Sequence, residues 1–369
     1  MKTWIVVVIA LLQGLLLAAH WFIYRTFIVF LGPFSAPATL ALRAALLLLA
    51  FSFVIATLLG FRFTNRLVTL LYRIAAVWLG LLNFFFWAAC LCRLAGWALA
   101  LTGLIADRPL AAVVLFGLAV LTGIYGLVNA RFIRIRRISV RLAGLPDSWR
   151  GRTALVVTDM HLGHVNGPGF SRRIVRLAAR LNPDIIFLPG DLFDGGKADA
   201  AALAEPFHAL APPLGSYFST GNHDEYGNAA LYAEVLTHAG IRVLANEKVT
   251  VDGLDIVGIS HGDSGHPLRL RVVLDSLHLT PGKATLLLNH VPSHLAQAEE
   301  AGIGLQLSGH THGGQIFPFT LVTRRVFGKF AYGLQRFGAL QVYTSSGAGT
   351  WGPPMRVGTS PEIALLTFE

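Results

Sequence analysis

The sequence predicts an α/β domain of about 220 residues preceded by a bundle of about four transmembrane helices. Three observations predict it. The first third of the chain is almost free of acidic residues and contains four long apolar runs. The rest alternates short β-rich runs with helical stretches. Five of those apolar strands end in Asp, Asn or His, the residue types that bind cations and move protons.

The composition supports the division. Of 369 residues, 54% are hydrophobic and only 14% charged, and the mean hydropathy is +0.59, far from that of an ordinary soluble globule. Residues 1–130 carry eight Lys/Arg and one acid, Asp107; residues 131–150 carry six Arg and Asp147; the remainder has 16 bases against 18 acids. The net charge of +10 therefore belongs to the front. Nucleic acid is not expected as a partner, because a footprint for phosphate backbones would lie on the near-neutral domain. Cys90 and Cys92 are too few for a disulfide framework or a zinc site and read as apolar packing residues.

The apolar runs are Trp4 to Tyr24, Leu40 to Gly60, Ile74 to Leu91 and Leu110 to Val128, each near the ~20 residues a membrane-crossing helix needs. Weak polarity through residues 94–106 leaves the third run's end open, and Pro109 suits the start of the fourth. The first run is too long for a signal peptide and lacks a convincing cleavage site. Lys2, Arg62, Arg66, Arg73, Arg131, Arg134, Arg136, Arg137 and Arg141 fall on one side, against Arg25, Arg43, Arg93 and Arg108 on the other. Four crossings with the richer side inward place both termini, and the α/β domain, in the cytoplasm at the cell inner membrane. Gln13, His20 and Asn83 read as isolated interhelical hydrogen bonders, since no span holds an acid for a cation or proton path. The anchor is expected to cover 1–130 and the second domain 131–369. At the junction, Phe132 to Leu142 alternates apolar and basic residues with one slip at Arg136-Arg137, which predicts an edge strand with a bulge beside lipid headgroups.

Strands are predicted at 153–158, 184–188, 216–219, 241–245, 255–259, 284–288, 305–307, 340–344 and 363–368, with helices at 171–181, 198–210, 229–239, 267–279 and 293–301. The strand ends then carry Asp159 and His161; Gly190, Asp191 and Asp194; Gly221, Asn222, His223 and Asp224; Asn289 and His290; and Gly309, His310, Thr311 and His312. Sites in open sheets form at the carboxyl ends of strands, so these residues are expected on one rim. Carboxylate, amide and imidazole donors without thiolate suit Mn, Fe, Zn or Co better than a structural zinc or calcium, and seven or more of them suit a pair of ions. No phosphate-gripping Gly-rich loop ending in Lys is present.

The order Asp159-x-His161, Gly190-Asp191-x-x-Asp194, Gly221-Asn222-His223-Asp224, His290, Gly309-His310-Thr311-His312 resembles the calcineurin-like metallophosphoesterase superfamily over essentially all of residues 151–315. The run from Gly309 to Gln315 and the late Ser345 to Thr350 are similar to its bacterial membrane-anchored branch. The resemblance implies a four-layer α/β/β/α sandwich and two divalent ions. It implies that Asp159, His161 and His312 hold one ion, that Asn222, His290 and His310 hold the other, and that Asp191 bridges them. His223 would contact the scissile phosphate and protonate the leaving group. The implied reaction is hydrolysis of a phosphate ester or pyrophosphate by hydroxide that the ions activate.

Other residues have two readings each. Asp194 is either a turn or capping residue or an orienting partner, Asp224 orients a ligand, and His164 either reaches substrate or is core. His208, His238, His261, His266, His278 and His294 are read as lying away from strand ends. Residues 315–334 interleave Ile316, Phe317, Phe319, Phe327 and Phe330 with Arg324, Arg325 and Lys329. That stretch is either a covering loop or a lip that meets the bilayer and, through Arg324 and Arg325, the substrate. A lipid-linked phosphate such as UDP-2,3-diacylglucosamine, cleaved by similar superfamily members in lipid A assembly, suits an enzyme held at the membrane. The alternatives are a membrane scaffold or transporter with a non-catalytic domain, disfavoured because every implied ligand position is filled, and a phosphodiesterase acting on nucleotides.

Overall fold

The structure, a computed structural model, describes residues 3–103 and 107–369; Lys2, counted above among the bases, and residues 104–106 lie outside it. The described chain divides into two compact units, residues up to Val128 with Gly352–Met355, and Asn129–Trp351 with Arg356–Glu369.

The first unit holds helices α1 (Thr3–Leu31), α2 (Ala36–Gly60), α3 (Arg66–Thr102) and α4 (Arg108–Asn129). All four are long and apolar enough to cross a membrane. They run past the sequence-based spans because capping residues, not hydropathy, end them. Ser35 and Asn65 accept from the backbone N–H groups of Ala38 and Val68, and Gly103 closes α3 in the left-handed conformation. Leucines face outward, as at Leu48 and Leu11, while Ala50, Ala75, Ala76, Ala88 and Ala89 are buried where backbones approach. Gln13 Nε2 donates to the Ala50 carbonyl, and Trp78 Nε1 lies 2.9 Å from His20 Nε2, so these polar groups pair between helices.

The second unit is two six-stranded mixed sheets. Its elements are β1 (Arg134–Val140), β2 (Thr153–Val156), α5 (Pro168–Leu181), β3 (Ile185–Pro189), α6 (Ala200–Ala204), β4 (Ser216–Ser219), α7 (Asn222–Tyr226), α8 (Ala229–His238), β5 (Ile241–Val243), β6 (Glu247–Val251), β7 (Leu254–Gly258), α9 (His261–Ser264), α10 (Pro267–Ser276), β8 (Thr285–Leu288), α11 (Leu295–Glu300), β9 (Leu305–Ser308), α12 (Phe319–Phe327), β10 (Gly333–Phe337), β11 (Leu340–Thr344) and β12 (Glu362–Phe368). One sheet has the order β1-β12-β2-β3-β4-β5, the other β10-β11-β9-β8-β7-β6.

Strand periodicity sets the layers. Ile185 and Phe187 point into a core shared with Leu286, Leu288, Leu305 and Leu307 of the other sheet. Ile186 and Leu188 point the opposite way, onto α5, α6 and α8. Leu287 packs beside Leu270, Leu274 and Leu295 of α10 and α11. With both faces covered, central strands read as unbroken apolar runs, and the result is the expected α/β/β/α sandwich.

Departures lie at edges and breaks. β1 pairs with β12 residue for residue from Arg134↔Glu362 to Val140↔Phe368, so there is no bulge at Arg136-Arg137. An edge strand with exposed positions tolerates the slip, and Arg136 rests 3.4 Å from Glu362. The edge strands β6 and β10 escaped the sequence reading because their polar residues blur the period of two. The predicted helix 198–210 is α6 followed by a 3₁₀ turn at Glu205–Ala209, where Pro206 lacks the amide to continue it. Residues 315–334 do not form a covering loop: they contain α12, which exposes Phe319, Leu321, Val322 and Val326 alongside Arg324 and Arg325.

Candidate metal centre

The parallel strands β2, β3 and β4 of one sheet and β8 and β9 of the other all deliver their C-terminal loops to one place. The backbone there is unusual. Asp159, His161, Asp191, His310 and His312 all have positive φ, between 46° and 66°. Side chains with a Cβ adopt this left-handed region at a cost, so such residues persist only where surrounding structure holds them. Gly221 and Gly309 make the crowding possible, because a Cβ on either would collide with the carboxylates of Asp191 and Asp159 respectively.

Three groups of side chains stand close enough to hold a cation; one of them, His161, Asp194 and His223, shares His161 with another. Asp159, His161 and His312 form the second, with His161 Nε2 2.9 Å from His312 Nε2 and His312 Nε2 3.4 Å from Asp159 Oδ1. Asp191, His290 and His310 form the third; His290 Nε2 stands 3.1 Å from Asp191 Oδ2, and Asn222 Oδ1 is 2.9 Å from His310 Nδ1. Asp191 also lies 3.8 Å from His161 Nε2, so it stands between these last two groups. The ring of His290 is oriented by its Nδ1, 2.9 Å from the Pro189 carbonyl, so that its buried Nε2 faces the Asp191 carboxylate. Buried imidazole nitrogens and carboxylate oxygens crowded into a few ångströms fit divalent cations.

Electrostatics follow from burial and proximity. Burial disfavours charge on His290, but the Asp191 carboxylate outweighs it and pushes the ring up to about 10. Burial likewise opposes the ionised form of Asp191, yet His290 and its neighbours hold the carboxyl well below the usual range. Burial and the His290 charge push His310 down to about 3. His223 is lowered by burial and then by His161. Its Nδ1 lies 3.2 Å from the Asp194 carbonyl and its backbone N–H donates to Asp191 Oδ1 at 2.8 Å.

The structure places the remaining sequence-predicted residues as follows. Asp194 is an orienting partner: its Oδ1 is 3.2 Å from His161 Nδ1 and 3.6 Å from His223 Nδ1. Asp224, fully buried, accepts from the backbone N–H groups of Asp191, Phe193 and Gly221, stitching the second strand end to the third. Asp224→Asn turns one of those acceptor atoms into a donor facing an N–H. It is expected to cost about 1–3 kcal/mol, seen as a lower melting temperature together with reduced metal content. His164 is buried in the turn after β2, whereas Arg324 and Arg325 are exposed on α12.

Three features escaped the sequence reading. His261 does follow a strand, β7, and its ring centroid is 6.3 Å from that of His290; its backbone N–H donates to Thr220 Oγ1, which donates to Glu225. The signal was the apolar run ending at Ile259. Arg356 is fully buried and donates to the carbonyls of His312, Ser346, Gly347 and Gly349, tying the His312 turn to the late loop. Ala348 and Gly349 in turn donate to the carbonyls of Thr158 and Asp159. Trp351, exposed, has its ring 5.8 Å from that of His223. A lone Arg or Trp on a loop carries no local signal of these contacts.

Comparison with known proteins bears on this geometry. The profile of the family described as calcineurin-like phosphoesterase matches residues 152–314. A Danio rerio protein named transmembrane protein with metallophosphoesterase domain is 33% identical over 264 residues, covering 67% of this chain and 60% of that protein. An uncharacterized metallophosphoesterase of Aquifex aeolicus is 32% identical over 258 residues, covering 68% of this chain and 98% of its own length. YkuE of Bacillus subtilis, also an uncharacterized metallophosphoesterase, is 25% identical over 247 residues, covering 63% and 84%.

Proposed function

From the premise that the chain belongs to the calcineurin-like metallophosphoesterase family, we propose that it is a membrane-anchored dinuclear phosphoesterase acting on a lipid-linked phosphate ester or pyrophosphate. It is a metal-dependent phosphoesterase by family, and its substrates are phosphate esters. In our reading Asp159, His161 and His312 would hold one divalent cation and Asn222, His290 and His310 the other, with Asp191 placed between the two groups. Bound there, the cations supply positive charge for phosphoryl oxygens and acidify water. The protein's own groups do the rest. Asp194 orients His161 and His223 through their Nδ1 atoms, which leaves Nε2 of His223 to deliver a proton to the leaving oxygen. Arg356 keeps the His312 turn in place.

The observation that carries the reading is the placement of Asp191 between two donor groups, 3.1 Å from His290 Nε2 and 3.8 Å from His161 Nε2. The membrane part of the proposal, with the domain on the cytoplasmic face of the inner membrane, is supported by the four apolar helices, the distribution of Lys and Arg, and the apolar and basic surface of α12. A lipid-linked substrate such as UDP-2,3-diacylglucosamine suits that setting. Lipid extract incubated with the wild-type protein and with Asp191→Asn, then compared by mass spectrometry, tests it. A phospholipid or lipid pyrophosphate should disappear with the wild type alone; activity confined to water-soluble esters overturns the lipid assignment.

Metal loading carries its own expectation. His290 holds its extra proton up to a pH of about 10, and a ligand nitrogen must release it. Cation affinity should therefore rise with pH below that value, by about tenfold per unit for one displaced proton. Calorimetric titration in buffers of differing ionisation enthalpy reads the proton count directly, and a count of zero near neutral pH contradicts the assignment of His290.

A further inference from the structure

Beside His223 the structure places two exposed aromatic side chains that the metal chemistry does not use. Trp351 is 57% exposed and Tyr226 is 75% exposed, yet their ring centroids lie 5.8 Å and 6.1 Å from that of His223. Large aromatic groups left open to water at the mouth of a polar site mark a surface that a ligand covers.

Trp351 is also held in place. Its backbone N–H donates to Gln315 Oε1 at 2.9 Å and its backbone carbonyl accepts from Gln315 Nε2 at 2.8 Å. Gln315 itself sits three residues beyond His312, with a positive φ of 53°. The preceding carbonyl, of Thr350, accepts from Asn166 Nδ2, and the same amide donates to the Met160 carbonyl in the first strand-end loop. Both anchors thus belong to segments that carry candidate ligands, so the backbone that carries the indole is registered to the metal centre. Tyr226 closes the short helix α7 that begins at Asn222 and His223. A ring carried on a fixed backbone loses less freedom when a ligand stacks on it than one on a free loop.

We propose that Trp351 and Tyr226 form the leaving-group subsite, which selects phosphate esters whose departing group presents a flat or apolar body, such as an aryl or nucleoside group, over small hydrophilic alcohols. The inference rests on the phosphoesterase reading and on His223 as the group beside the leaving oxygen. A stacking ring next to the proton donor holds the departing group where that proton arrives.

The test uses full-length, detergent-solubilised protein loaded with Mn²⁺, and titrates phenylphosphonate and methylphosphonate by calorimetry. The wild type should bind phenylphosphonate about ten times more tightly. Trp351→Ala should bring the ratio close to one, with methylphosphonate affinity and bound manganese unchanged; Trp351→Phe should keep most of the preference, and Tyr226→Ala should lose part of it. Equal binding of the two phosphonates by the wild type, or a preference that survives Trp351→Ala, overturns the subsite alone. Failure of metal-loaded protein to bind either phosphonate sinks both the subsite and the phosphoesterase reading beneath it.

Discussion

Asp191→Asn should lower kcat by about a thousandfold or more while leaving the fold in place. The substitution keeps the side-chain volume, and the amide oxygen can still accept the His223 N–H that Asp191 Oδ1 now takes at 2.8 Å. What changes is charge. A carboxylate held ionised far below its usual range becomes a neutral amide, and an NH₂ group replaces an acceptor that faces His290 and His161 at 3.1 Å and 3.8 Å. Removing a single preorganised charge-stabilising group costs about 10²–10³ in kcat, and this one stands between both donor groups. Elemental analysis of purified protein should show fewer than two bound ions. A variant with full metal content and wild-type turnover would remove Asp191 from the centre of the scheme.

His223→Gln should separate proton delivery from metal binding. His223 belongs to neither of the two three-residue groups assigned above to the cations, so the variant should keep its metal. Loss of a positioned acid costs about 10²–10⁴ in rate. The size should depend on the leaving group: large for an alkyl alcohol, which needs the proton, and small for p-nitrophenol, which departs as an anion. Burial and His161 lower the ring's proton affinity, so it is neutral at pH 7 until an anionic phosphate beside it raises its pKa. The wild-type kcat should then fall as pH climbs through the value in the substrate complex, and the Gln variant should lack that limb. A uniform loss across leaving groups would assign His223 a purely structural part.

Several readings of the sequence met the structure directly because they rest on local pattern. An apolar run of twenty residues has one way to satisfy its backbone in lipid, and four such runs became α1 to α4. Buried strands announce themselves as unbroken Val, Ile and Leu, and β3 and β11 lie within a residue of their predicted bounds. Where pattern is weak the reading failed. The strand β6, with its Glu and Lys, and the helix α12, whose aromatics suggested a covering loop, both depend on neighbours for their form. His261 lies two residues beyond an apolar run ending at Ile259, and its place near His290 comes from the meeting of β7 with β8 rather than from any local pattern.

The sequence by itself determined the apolar anchor, the alternation of strands and helices, and the order of Asp, Asn and His at five strand ends, since each is a property of a few adjacent residues. Only the tertiary structure decided that β2, β3 and β4 meet β8 and β9 at one rim, that five candidate ligands take left-handed backbone there, and that Arg356, Gln315 and Trp351 brace the result. The physical reason is that such conformations and contacts are stabilised by groups distant along the chain, and a strained φ or a buried guanidinium persists only when packing from several segments holds it.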